Sequence, residues 1–181
     1  MKDKIAFLRK TKIFGALDDT ALSRIAALLK QRDFENDQTI IERYDTGTSM
    51  FLIVSGGANV YYVKGDDEDT LLGNLLPGQH FGEMSLFDNK PRSAMVRSSG
   101  GTSTFVIEKD DLFTLINEDP ATGVKILLAI IHELSIRLRD TSAALFMSLN
   151  FGDTLMNQND IDRFGEFYSD VLRSERSASK H

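Results

Sequence analysis

The chain has 181 residues, with 21 Lys and Arg against 27 Asp and Glu for a formal charge of −6, no cysteine and 3 histidines. The length suits one full-sized domain or two small ones; the lack of cysteine excludes disulfide frameworks, thiolate nucleophiles and cysteine metal sites, and the acidic balance opposes non-specific attraction to a phosphate backbone. Charged residues at Lys2, Asp3, Lys4, Arg9 and Lys10 break up the N-terminus, and no apolar run approaches the roughly 20 residues of a membrane span, so neither a signal peptide nor a span is recognisable.

In LDDTALSRIAALLKQ, Leu17, Ala21, Leu22, Ile25, Leu28 and Leu29 recur at steps of three and four and predict one helix, capped by Asp18 or Asp19 and stapled by Phe14. From Phe34 to Ile107 the pattern changes to short β-branched and aromatic runs between glycine and charged turns. Strands are predicted at 38–42, 50–55, 58–63, 70–76, 93–97 and 102–107, with Gly56-Gly57 as a tight hairpin turn. The run KGDDED reads as a solvated acidic hairpin loop, because its acids do not follow the spacing of a calcium loop. Strands this short, with no helices between them, imply an antiparallel jelly-roll-like β-barrel flanked by N-terminal and C-terminal helices, an α+β fold.

Helix returns in DDLFTLI from Asp110, and Asp119-Pro120 opens a longer one, proline being suited to a first turn that needs no amide donor. Val124, Leu127, Ile131, Leu134 and Leu138 form a coiled-coil-like seam, broadened by Ile126, Leu128, Ile130 and Ile136. A helix apolar on more than one side predicts a homodimer contact, with intramolecular packing as the simpler reading. Asn150-Phe151-Gly152 should end it. Ile161, Phe164, Phe167, Tyr168, Val171 and Leu172 predict a short amphipathic helix before a frayed tail. The expected division is therefore 1–140 and an extension, 141–181.

The segment FGEMSLFDNKPRSAMV, 81–96, carries the chemistry. One helical turn after Gly82 would expose amides to an anion. Arg92 adds a planar fork for two phosphate oxygens. Glu83 would repel a bare phosphate, but an ionised carboxylate accepts a hydroxyl proton, so the set suits a phosphate attached to a sugar. A surface Glu–Arg pair that merely pins a loop, worth about 0–1 kcal/mol, accounts for the same residues.

This segment resembles, without an internal gap, the phosphate-binding cassette of the cyclic nucleotide-binding domain family, as in catabolite activator and protein kinase regulatory domains. MFLIVSGGANVYYV also resembles the family's strand, glycine turn and next strand, and the resemblance extends over most of 13–138. It implies that Glu83 accepts from the ribose 2'-hydroxyl and Arg92 pairs with the cyclic phosphate. Gly82, Ser85, Ser93 and Ala94 would shape the cassette or contact phosphate and sugar. Leu72 would line the base, and 131–139 would form a lid. Threonine after the arginine favours guanine nucleotides in the family and alanine often accompanies adenine; Ser93 is neither, so cAMP is the expected ligand with cGMP as the alternative. The departure at Arg43-Tyr44, where the family often has a turn glycine, is expected to affect the barrel more than the nucleotide site.

No helix-turn-helix, kinase loop, channel pore or cyclase sequence is recognisable, and 141–181 holds six acids against four Lys or Arg, so no direct nucleic acid binding is expected. His80 and His132 are expected to be loop or helix-surface residues rather than metal ligands. The resulting expectation is a non-catalytic cytoplasmic receptor, with no catalytic cofactor, that signals through its C-terminal helix to an effector protein. A regulatory fragment of a larger transcription factor, channel or kinase, and a nucleotide-free dimerisation scaffold, are the alternatives. Met1 and the distinct extension favour a complete chain.

Overall fold

The computed structural model describes residues 1–63 and 69–151 and contains two compact units, Met1–Glu133 and Leu134–His181. In the first, helices α1 (Lys2–Leu8) and α2 (Asp19–Leu28) precede strands β1 (Lys30–Phe34), β2 (Thr39–Ile41), β3 (Ser49–Tyr62), β4 (Thr70–Leu75) and β5 (His80–Phe81). The short helix α3 (Met84–Asp88), strand β6 (Met95–Glu108) and helices α4 (Lys109–Glu118) and α5 (Pro120–Phe151) follow, α5 running on into the second unit. Predictions for 152–181 and for the loop at 64–68 lie outside the described residues.

The strands form one antiparallel sheet ordered β1-β6-β3-β4, with β2 added on β6 and β5 on β3. This is the predicted jelly-roll architecture, left open because its path ends at β1 and β4. Two long strands make it. The early half of β3 pairs with β5 and its later half with β4, while β6 pairs with β2 first and β1 later. Inside lie Ile41, Phe51, Ile53, Ala58, Phe81, Val96 and Val106, with the Phe51 and Phe81 rings stacked 5.0 Å apart.

The hairpin expected at Gly56-Gly57 does not form. β3 continues through both glycines, and the strands predicted at 93–97 and 102–107 are likewise one strand, β6, which begins at Met95. The β3–β6 register slips between Ile53 and Ser55 and again between Ser55 and Gly57. The positive φ angles of Gly56, Gly100 and Gly101 are therefore spent on bulges that bend two paired strands. Local turn chemistry is the same in either case, and only the long-range pairing distinguishes them.

Helix α2 begins where its cap predicted, with the Asp18 carboxylate accepting from the Ala21 amide at 2.9 Å. The polar N-terminus nevertheless forms α1, because Leu8 is buried and Phe7 packs edge-on against Phe105 at 5.4 Å. In α5, Ile126 and Ile130 are buried, and Gly123 sits so close to α4 that a Cβ would stand 2.7 Å from Ile116 Cγ2. Three positions of the predicted seam, Val124, Ile131 and Leu138, are exposed, joined by Leu128 of the broadening set, while Leu127 and Leu134 are half-buried.

Candidate functional site

The sheet brings three distant segments to the N-terminal end of β3: the turn after β2, the corner after β5, and the segment leading into β6. Arg92 occupies their meeting point and is 4% exposed. Its two terminal nitrogens donate to backbone carbonyls, Nη1 to Gly82 at 2.8 Å and Nη2 to Ser49 at 2.7 Å. Its Nε is buried and has no hydrogen-bond partner. Burial pushes the guanidinium below its ordinary pKa, opposed by the charges of Asp45, Glu83 and Glu108. A cation held this way is both costly and coordinatively unsaturated, the condition under which a buried arginine gains most from an anion.

Gly82 makes the arrangement sterically feasible. Its φ of +81° turns the chain out of β5, and a Cβ there would lie 2.7 Å from Arg92 Nη1 and 2.9 Å from the Ser49 carbonyl. No other residue type meets both demands without displacement. Glu83 follows as the N-cap of α3 and is 3% exposed, its carboxylate 4.0 Å from His80 Nε2. His80 is therefore not the loop residue expected. It is buried on β5, paired with Leu52, because the short strand was too brief to show in the sequence pattern. His132 is exposed on α5, as expected. Among the described residues no group of three His, Cys, Asp or Glu side chains could hold a metal ion.

Of the other predicted residues, Ser85 is buried in α3 and lines a cavity of about 230 Å³ with Thr46, Thr48, Asn89, Lys90 and Pro91. Ser93 is exposed, its hydroxyl 3.9 Å from the Met84 sulfur, and Ala94 is half-buried before β6. Leu72 stands on β4 with 59% of its surface exposed, outside the buried corner. Of the lid segment 131–139, Ile131 is exposed and Glu133 pairs with Lys12 at 3.4 Å. Sequence reasoning brought Gly82, Glu83 and Arg92 together; it missed Asp45, Gly47 and Ser49, which act largely through backbone atoms or proximity.

The Arg43-Tyr44 turn lies nearer the site than its sequence suggested. The Tyr44 amide donates to the Arg92 carbonyl at 3.0 Å, and the Arg92 amide donates to the Asp45 carbonyl at 2.8 Å. On the far side, the cassette meets α4 through the Phe87 and Phe113 rings, 5.9 Å apart, and a Lys109–Asn89 hydrogen bond.

Residues 31–119 match the family model of the cyclic nucleotide-binding domain. The chain is similar to a cAMP-dependent protein kinase regulatory subunit of Mycosarcoma maydis, 32% identical over 96 residues, or 53% of this chain and 18% of that protein. It is also similar to a CRP-like cAMP-activated global transcriptional regulator of Mycobacterium tuberculosis, 25% identical over 135 residues, or 75% of this chain and 58% of that one. Among solved structures, a cyclic nucleotide-binding domain from Methylobacillus flagellatus shares the fold at a TM-score of 0.70 and 24% identity, covering 87% of this chain and 85% of that one. The chain spans less than two thirds of either curated relative.

Proposed function

We propose, from the match of residues 31–119 to the family model of the cyclic nucleotide-binding domain, that this chain is a non-catalytic receptor for a cyclic mononucleotide, cAMP before cGMP. The observation that carries the reading is the buried Arg92 guanidinium, whose Nε lacks a partner beside the buried carboxylate of Glu83. Arg92 pairs with the cyclic phosphate, replacing the water it lost on burial with a charge-assisted bond. Glu83 accepts the ribose 2'-hydroxyl, Gly82 and Ser85 shape the corner, Ser93 and Ala94 border the phosphate, and Leu72 offers apolar surface to the base. cAMP leads because the names of both curated relatives refer to it.

Occupancy is read out through the cassette. Drawing 81–93 inward displaces Phe87 against Phe113 and the Asn89–Lys109 contact, which moves α4 and with it the start of α5. The ligand shifts this equilibrium only by its differential affinity for the two arrangements. The exposed stripe Val124, Leu128 and Ile131 supports a homodimer through α5, and an effector protein receives the signal. No helix among the described residues is long and apolar enough to cross a membrane, and a cytoplasmic setting without direct nucleic acid contact suits this role.

Calorimetric titration with cAMP and cGMP tests the assignment. Arg92→Ala is expected to weaken binding by about 2–5 kcal/mol, the cost of removing one partner of a buried charged pair. Equal binding by the two proteins overturns it. Paired spin labels on α4 and the start of α5 test the readout, and distances unchanged at saturation would remove it.

A further inference from the structure

Tyr44 adopts φ +70°, a left-handed conformation that a bulky side chain resists. The sequence offers no glycine there to relieve it. The turn nonetheless supplies both backbone bonds of Arg92, one from the Tyr44 amide and one to the Asp45 carbonyl. The side chain of its neighbour packs against it. The Arg43 guanidinium carbon lies 4.4 Å from the Tyr44 ring centroid and 3.9 Å from that of Tyr62, sandwiched between them. Its Nη1 donates to the Val63 carbonyl, while its Nε is buried without a hydrogen-bond partner. Two ring faces and one carbonyl therefore hold Arg43. They tie the strained turn to the end of β3.

We propose that Arg43 is a positioning residue for the ligand: clamped between Tyr44 and Tyr62, it holds the left-handed turn from which the backbone of Arg92 hangs. Without the clamp Tyr44 relaxes to negative φ, its amide swings off the Arg92 carbonyl, and the guanidinium loses the backbone half of its support. Arg43 itself does not touch the nucleotide. This inference rests on the reading of Arg92 as the phosphate ligand, and the two are separable by experiment.

The test is a double-mutant cycle on the full chain, with cAMP as probe and amide hydrogen exchange as a second readout. Arg43→Leu is expected to weaken cAMP about tenfold in the wild-type background and by less than about twofold in Arg92→Ala, because its effect runs through Arg92. Exchange should quicken at the Tyr44 and Arg92 amides and stay unchanged at Val106 in the β1–β6 ladder. Tyr62→Phe keeps the ring face and should behave as wild type, whereas Tyr62→Ala should reproduce Arg43→Leu. Arg43→Lys, a point charge without the planar fork, should fall between and serves if the leucine variant does not fold. Equal weakening in both backgrounds, or unaltered exchange at Tyr44 and Arg92, overturns the clamp. Failure of the wild-type chain to bind either cyclic nucleotide overturns the receptor reading instead, and the exchange comparison then decides the clamp by itself.

Discussion

Two places along the β3–β6 pair, the bulge midway and the cassette beside the start of β3, solve the same backbone problem with different chemistry. At the bulge, Gly56, Gly100 and Gly101 take positive φ, and the buried polar side chains Ser98 and Thr102 are hydroxyls that bond each other. Ser98 and Thr102 share a hydroxyl hydrogen bond of 2.7 Å, and Thr102 also bonds the Gly57 carbonyl. At the cassette, Tyr44, Gly82 and Asn89 take positive φ around a buried guanidinium and carboxylate. Left-handed backbone alone therefore does not mark function. What sets the cassette apart is that its left-handed residues surround a buried guanidinium whose Nε has no hydrogen-bond partner.

The same glycine-to-alanine change separates bulge and cassette most sharply. A Cβ at Gly56 would stand 1.9 Å from the Gly101 carbonyl oxygen, backbone against backbone. Gly56→Ala is expected to cost more than about 3 kcal/mol of stability, readable in urea denaturation, with no change of ligand affinity in whatever remains folded. Gly82→Ala meets a movable arginine as well as the Ser49 carbonyl. It should cost about 1–3 kcal/mol of stability and also displace Arg92, so that calorimetry shows a loss of affinity that Gly56→Ala does not. Identical behaviour of the two variants would erase the distinction.

Smaller changes sharpen it further. Glu83→Ala should weaken binding of cAMP by about 1.5–3 kcal/mol, the range for a hydrogen bond to a charged group. With 2'-deoxy cAMP that loss should disappear, and equal losses for both ligands would defeat the sugar contact. At the bulge, Thr102→Val leaves Ser98 and the Gly57 carbonyl short of a partner. A stability loss of about 1–2 kcal/mol with unaltered affinity is expected, and a change in affinity would show bulge and cassette to be coupled.

Legibility followed sequence distance. Gly82, Glu83 and Arg92 lie within one short segment, so residue type and spacing exposed them together. Their supports did not show. Ser49 contributes a carbonyl across 43 positions, and a carbonyl carries no residue signature. Gly47, where a Cβ would sit 3.3 Å from Arg92 Nη2, looks like any turn glycine. Tyr44 stands out in the sequence only as a departure, and its bond to Arg92 depends on a turn that local propensity disfavours. The N-cap of α2 was readable because Asp18 acts within three residues, whereas the Gly56-Gly57 hairpin was misread because bulge and turn demand the same dihedral.

By itself the chain's order of residues determined the helix caps, the alternation that builds a jelly roll, and a contiguous cassette carrying an acid and an arginine, because each is set by neighbours a few positions apart. Tertiary structure alone decided that β3 and β6 run unbroken through their glycines, that Arg92 is buried against Ser49 and Gly82, and which stripe of α5 faces outward. Those outcomes depend on pairing and burial between segments tens of residues apart, where free energy is gained only once the whole sheet has assembled.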